Sequence, residues 1–433
     1  MNTKSAVAHS AGFSLLRKGF HPSFWIANGM ELFERLAYYG QATILTIFLR
    51  DTLALTPVET GMIASIFGGL IYFLPIFAGA IADKIGFRKA FSIAFLVLAV
   101  GYFLIGSTGM GLFAGLYAGV PKFWLLVPFV CLTAMGGSFI KPSVLGTVAV
   151  ASTPETKSLG FAVYYWLVNA GAFLGPNIAH AVRSEFGYPY VYVVSAVSCL
   201  IMFAVTLLFY RDVRPPAEQG GETLGAKMKS LVVVLGNTRF MLFLLIFSLY
   251  WIMFWAGFYI VVPNFARDFI SPKANYEASV SVGALAIFAL QLIVNRGTRK
   301  LSPSTAVLIG FGVSSMSWLV VLAIPSLTGV ALAMCLWSIG EMIQAPRYYE
   351  LISDLAPKGQ QALFQGYAFL PIAIAWAIGG TFGGWLYAAY GMGRGNASPA
   401  WLILFCIGVA GTALMWIYNV VVARLAPRTS AAS

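Results

Sequence analysis

Charge is what this sequence has least of. Only 10% of its 433 residues are Asp, Glu, Lys or Arg, while 59% are hydrophobic. Soluble domains carry roughly 25% charged residues, so most of this chain must sit in lipid. Histidine is nearly missing: His9, His21 and His180 lie at a terminus or near helix ends, which makes histidine a poor proton relay. Cysteine is limited to Cys131, Cys199, Cys335 and Cys406, each alone in a different apolar run without paired spacing or a histidine cluster. They read as small core residues, and no metal or cofactor is expected. The glycine-rich "GSTGMGLFAGLYAG" (106–119) lacks the Gly-Lys-Ser/Thr ending of a phosphate loop, which disfavours coupling to ATP hydrolysis. No nucleophile–base constellation and no appended soluble domain stand out, so an enzyme is not expected. Nor is a cleavable signal peptide, because the polar N-terminus leads into an apolar run too long and too charged to be one.

Long apolar runs are what the chain has. A spanning helix needs roughly 20 of them in a row, and about twelve such runs follow one another, the first near 23–49 and the last near 400–423. Strands would show short alternating segments instead, so an all-α bundle is expected. The formal charge of +12 could suggest nucleic acid in a soluble protein. Here most of the 27 Lys and Arg fall in loops and tails on one side of the twelve runs. By the positive-inside rule that side is cytoplasmic and holds both termini, a multi-pass arrangement in a bacterial inner membrane with the lipid bilayer as partner and no nucleic acid. The polar stretch after Tyr210, "RDVRPPAEQGGETLGAKMKS", splits the spans six and six. The expected division is therefore 1–210, a cytoplasmic linker at 211–238, and 239–433.

Three charges inside the first run need a physical reason. In "GMELFERLAYYG", Glu31, Glu34, Arg35, Tyr38 and Tyr39 fall at i, i+3, i+4, i+7 and i+8, on one helix face. An ionisable group near the bilayer centre costs several kcal/mol unless it meets a wet cavity or a partner, so that face lines a path or forms a structural ion pair. Lys141 lies toward the end of span four beside Pro142, which frees a carbonyl and lets the helix bend. Glu341 falls near the middle of span ten; Arg347 and Glu350 follow, one turn apart and nearer the cytoplasm, either as a local or gate ion pair or in a substrate role.

Several stretches carry a resemblance. "KPSVLGTVAVASTPETKSLGFAVYY" is echoed by "APRYYELISDLAPKGQQALFQGYAF" in the second half, as in the duplicated halves of major facilitator transporters. "GAIADKIGFRKA" resembles that superfamily's loop signature, with Gly79, Asp83, Gly86, Arg88 and Lys89 in place; its second-half counterpart is degenerate, with Gln291 and Asn295. Glu31-x-x-Glu34-Arg35 followed by Tyr38-Tyr39-Gly40 resembles the first-helix signature of the proton-dependent oligopeptide transporter family. Tyr72 looks like that family's pocket tyrosine, Lys141 in "GGSFIKPSV" like its helix-four lysine, and Asn169 in "YYWLVNAGAFLGP" like its pocket asparagine. Trp255 in "MFWAGFY" looks like the helix-seven tryptophan, and Glu341 in "GEMIQAP" like the glutamate that receives a peptide's amino group. The chain departs from the family in three ways: Tyr259 stands where a helix-seven glutamate is usual, no asparagine appears at the expected start of helix eight, and two extra central helices are missing.

The resemblance implies a major facilitator fold of twelve helices and a monomeric secondary transporter. Its expected work is proton symport of small peptides or peptide-like zwitterions. Arg35 and Lys141 would offer cationic donors to a carboxylate and Glu341 an acceptor to an ammonium, with Tyr38, Tyr39, Tyr72, Asn169 and Trp255 as pocket walls. Glu31 and Glu34 are the proton carriers, since burial disfavours a charged carboxylate while Arg35 favours it; the two are not ranked. The alternative keeps the fold and reverses direction: a proton-driven exporter of drugs or of a carboxylate-bearing metabolite such as a siderophore.

Overall fold

A computed structural model describes residues 19–213, 224–356 and 364–425. Among them nine helices are long and apolar enough to cross a bilayer: Phe87–Ser107 (span 3), Lys122–Val150 (span 4), Tyr188–Leu208 (span 6), Thr238–Ile270 (span 7), Tyr276–Thr298 (span 8), Pro303–Ala323 (span 9), Leu327–Leu355 (span 10), Leu370–Met392 (span 11) and Ser398–Val421 (span 12). A further crossing, span 2, is the pair Pro57–Phe73 and Pro75–Ile85, bent by 45°. Two more helices are long enough but too polar to count with the nine: Pro22–Ile47 of 26 residues (span 1) and Lys157–Phe186 of 30 residues (span 5). Together they make the twelve crossings expected of the sequence, in an all-helical integral membrane protein. The segment expected as a linker holds a helix of its own, Leu224–Leu235, while residues 214–223 of it lie outside the described residues.

Hydrocarbon offers the backbone no partner but itself, so each apolar run closes its own hydrogen bonds as a helix. Where a run begins, a polar side chain takes an orphan N–H: Asn237, Asn275, Ser302 and Ser326 cap spans 7, 8, 9 and 10. Two prolines coincide with breaks in the regular helix. Pro75 bends span 2, and beside Pro142 the regular helix of span 4 is interrupted at Phe139, one turn or less from Lys141. A π-helical turn at Phe48–Thr52 prolongs span 1, and spans 7 and 11 carry others at Trp255–Val261, Ala266–Ile270 and Tyr387–Met392. Such wide turns collect at functional positions.

Packing sorts the chain into two compact units. Unit 1 runs through Ala42 and from Leu74 through Lys227; unit 2 comprises Thr43–Phe73 and the chain from Met228 on. Span 1 therefore changes unit partway along. In unit 1, span 5 lies so close on span 1 that a Cβ on Gly171 would fall 2.5 Å from the Cβ of Arg35, and one on Gly175 2.7 Å from the carbonyl oxygen of Leu36. Only glycine admits that approach, and it seats the charged face of span 1. In unit 2, the first limb of span 2 packs along span 11 in the same way: a Cβ on Gly380 would meet the Gly61 carbonyl oxygen at 2.5 Å and the Ser65 amide at 2.7 Å. Ser65 Oγ closes the seam, accepting from the Thr381 amide at 2.8 Å.

This seam yields a stability prediction. Gly380→Val must push two backbones apart and is expected to cost about 1–3 kcal/mol or more, read as a lowered melting temperature in detergent. Gly297→Ala, with nothing within 4 Å of the new Cβ, is expected to leave the melting temperature unchanged. Equal behaviour of the two would refute the close-packed seam.

Candidate functional site

Unit 1 holds the charged cluster. Glu31, Glu34 and Arg35 are each at most 3% exposed, so they meet one another instead of water. Arg35 grips Glu34 with two nitrogens, Nε to Oε2 at 2.6 Å and a terminal nitrogen at 2.5 Å. The same Nε lies 3.4 Å from Oε1 of Glu31, a charge contact without a hydrogen bond. Among the described residues neither Glu31 oxygen accepts a hydrogen bond, nor does Oε1 of Glu34. Tyr38 and Tyr39 present their rings to the guanidinium at 4.8 and 5.8 Å. Lys141 stands half-buried within electrostatic reach of Arg35, Glu31 and Glu34. The structure thus brings together two carboxylates and two cations from spans 1 and 4. Asn169 on span 5 is half-buried and spends its amide on the Tyr165 carbonyl at 2.9 Å. Tyr102 lies within reach of Glu34, and Tyr164 of both glutamates; an apolar span full of aromatics gives no signal in the sequence for which tyrosine faces a charge.

Unit 2 holds Tyr72, Trp255 and Glu341. Glu341 is half-buried on span 10, within electrostatic reach of Tyr250 and Tyr349. Trp255 stacks on Trp376 with centroids 4.2 Å apart, contacts Tyr259 at 4.7 Å, and faces Tyr72 at 6.3 Å. Tyr259 is therefore part of an aromatic cluster in the place where a carboxylate was expected. Span 8 begins at Tyr276 with Asn275 as its cap, Oδ1 accepting from the Ala278 amide at 3.0 Å. An asparagine does stand at that start, contrary to the sequence reading, and its side chain is used in capping.

The loop signature is also placed. Gly79 faces Pro142 of span 4, where a Cβ would lie in ordinary contact at 3.4 Å, and Gly86 turns the chain at a φ of 90°. Asp83 is exposed, and the carboxylate that receives the start of span 3 is Asp212, accepting from the Arg88 amide at 2.8 Å. Arg88 in turn donates to the Leu207 carbonyl. Arg347 and Glu350 pair at 2.6 Å, and Arg347 also donates to the Arg299 carbonyl at 2.8 Å.

Residues 30–380 match the sequence profile of the Major Facilitator Superfamily. The chain belongs to that superfamily. Among solved structures, a peptide transporter POT in complex with sulfate superposes with a TM-score of 0.73 at 19% identity, over 93% of this chain and 95% of that one. A POT family transporter in complex with a thioalcohol-conjugated peptide gives 0.72 at 16%, over 93% and 96%. Dipeptide and tripeptide permease A of Serratia proteamaculans (strain 568) is 26% identical over 44% of this chain. The match spans 36% of that permease's own length. Multidrug resistance protein MdtH of Salmonella newport (strain SL254) is 24% identical over 89% of this chain and 91% of its own.

The superfamily's duplicated plan exposes a feature the sequence reading missed. Span 1 ends in Phe48-Leu49-Arg50-Asp51 and span 7, its expected equivalent, in Phe265-Ala266-Arg267-Asp268. The repeated Phe-x-Arg-Asp was the available signal. Within unit 2 the two copies pair reciprocally, Arg50 with Asp268 at 2.7 Å and Arg267 with Asp51 at 2.5 Å. Arg50 also donates to Asn264 Oδ1 at 2.8 Å, and the Tyr387 hydroxyl donates to Asp268 at 2.6 Å. All four ionic side chains sit on π-helical turns.

Breaking one arm of this lock leaves a part-buried charge without its partner. Asp268→Arg is expected to cost about 1–3 kcal/mol, and the exchange Arg50→Asp with Asp268→Arg to restore most of the lost melting temperature. A double variant no more stable than the worse single one would show that the pairing contributes nothing.

Proposed function

We propose that this chain is a proton-coupled symporter of small peptides or peptide-like zwitterions, acting as a monomer by alternating access. The observation that carries the reading is the composition of the buried cluster. With Glu31, Glu34, Arg35 and Lys141 all ionised, the charges cancel. Adding a proton to the glutamate pair leaves one excess positive charge in a poorly solvated place, which is costly. A substrate carboxylate accepted by Arg35 and Lys141 removes that excess with charge-assisted hydrogen bonds. Proton and carboxylate therefore favour each other's binding, which is the thermodynamic requirement for moving them together. Glu341 is the acceptor for the substrate's ammonium, and the ring cluster of Tyr72, Trp255, Tyr259 and Trp376 supplies an apolar wall for varied side chains. The peptide named with one structural neighbour, and the di- and tripeptides named with the permease, support this substrate class.

A second reading has its own support. Tyr259 removes a carboxylate from helix seven, and the similarity to MdtH extends over nearly the whole chain. Both suit a proton-driven exporter of drugs or of a carboxylate-bearing metabolite such as a siderophore. In either reading we place the protein in the bacterial inner membrane with both termini in the cytoplasm and Arg347–Glu350 and the 79–89 loop on that side. A reporter fused at residue 433 is then expected to read as cytoplasmic.

Proteoliposomes separate the readings. Labelled dipeptide should accumulate when an inward proton gradient is imposed. Glu34→Gln and Glu31→Gln, tested singly, should show at least one variant that loses accumulation while retaining exchange of internal for external dipeptide. Absence of dipeptide exchange in the wild type, together with exchange of a labelled carboxylate metabolite, would favour the exporter. Undiminished accumulation in both variants would remove the glutamate pair from the coupling mechanism.

A further inference from the structure

The connection between spans 3 and 4 is an apolar surface in a position where loops are ordinarily polar. From Ala90 through Pro121 the sequence has no charged residue. In the connection itself Leu112 is 88% and Leu116 73% exposed, and Trp124, at the start of span 4, is 68% exposed. Exposed leucines grouped this way mark a contact surface, and two observations say with what.

The first is continuity. Span 3 presents Ile93, Leu96, Val100 and Phe103 outward at spacings of three and four, one stripe of a helix whose opposite face, with Phe91, Phe95, Leu98 and Tyr102, is buried. In a membrane-spanning helix such a stripe faces acyl chains. Phe103 at its end meets Phe113 of the connection edge-on at 5.7 Å, so the lipid-facing surface runs without interruption from span 3 onto Leu112 and Leu116. The second is backbone satisfaction. Hydrocarbon tolerates only backbone whose polar groups are bonded within the protein. Here a chain of turns bonds part of the backbone, the amides of Phe113, Ala114, Leu116 and Tyr117 to the carbonyls of Met110, Gly111 and Phe113 at 3.0–3.3 Å. That suits the headgroup boundary, where polar groups meet those left over, and not the hydrocarbon centre. The fold of the segment is pinned by the buried Tyr117, whose hydroxyl is 2.7 Å from that of Ser107. Lys122, 5.9 Å above the Tyr117 ring, is the first charge beyond the segment and stands where a lipid phosphate would meet it.

We propose that residues 108–121 form an interfacial element that sinks Leu112, Phe113 and Leu116 into one leaflet at the boundary between headgroups and acyl chains. Trp124 sits at that boundary, as tryptophans of membrane proteins prefer. The occupant of this surface is the bilayer, and the element fixes the depth of spans 3 and 4 in it.

The test is spin-label accessibility in vesicles. A label is placed at Leu116→Cys, or as a reference at Lys273→Cys, an exposed site in another connection, with Cys131, Cys199, Cys335 and Cys406 replaced by alanine. The ratio of collisions with oxygen, which concentrates in lipid, to collisions with a water-soluble nickel chelate should be several-fold higher at 116 than at 273. An equal ratio places the segment in water and overturns the proposal. Low collision rates with both reagents at 116 mean that a second copy covers it, and also overturn it. Should the cysteine-free protein fail to fold, quenching of native tryptophan fluorescence by lipids brominated near the headgroup replaces the label. The quenched fraction should fall in Trp124→Phe, and an unchanged fraction contradicts the proposal.

Discussion

A net charge in a poorly solvated interior is the state this fold must avoid, and the placement of its ionic groups follows from that constraint. Among the described residues, the carboxylates of two clusters each have a cation beside them, whereas Glu341 has tyrosines within its reach. Glu31 and Glu34 share Arg35 and the reach of Lys141. The reciprocal lock of Arg50, Asp51, Arg267 and Asp268 is likewise neutral, two of each sign. The backbone is shaped to allow these meetings. Gly171 clears the space for Arg35, and the interruption before Pro142 sets Lys141 where the helix ladder is weakest. Neutrality also makes the unit 1 cluster responsive, because one added proton changes its net charge by the amount one substrate carboxylate returns.

Much of this was legible in the sequence for a simple reason. A lipid environment turns composition into structure, so twelve apolar runs become twelve crossings. A charge inside such a run has few permitted explanations: the spacing of Glu31, Glu34, Arg35, Tyr38 and Tyr39 already placed them on one face, and the structure shows them in mutual contact. What stayed hidden depends on partners far apart in sequence. Nothing near Asp212 says that it receives the start of span 3, and nothing in an apolar run distinguishes Trp376, stacked on Trp255, from a tryptophan facing lipid. The Phe-x-Arg-Asp repeat was visible but lay at span ends, where charges are ordinary and call for no explanation. The two packing units were hidden as well, since they arise from glycine seams such as Gly61 on Gly380.

The aromatic cluster around Tyr259 marks where this chain departs from the oligopeptide transporters it resembles. A carboxylate there would add a titratable group beside Trp255; a phenol adds packing instead, with Tyr259 and Trp376 both against the Trp255 ring. In the proposed symport, coupling rests on the span 1 glutamates, and the unit 2 rings offer apolar contact in place of charge.

The central claim is that carboxylate binding and protonation of the Glu31–Glu34 pair are linked. Calorimetry of dipeptide binding in buffers of different ionisation enthalpy measures the protons exchanged on binding. The account predicts uptake of about one proton per dipeptide bound by the wild-type protein, as linkage between the two sites requires. It predicts none for the same dipeptide with an amidated carboxyl, and none when Glu31 and Glu34 are both replaced by Gln. Proton uptake that survives either change would contradict it.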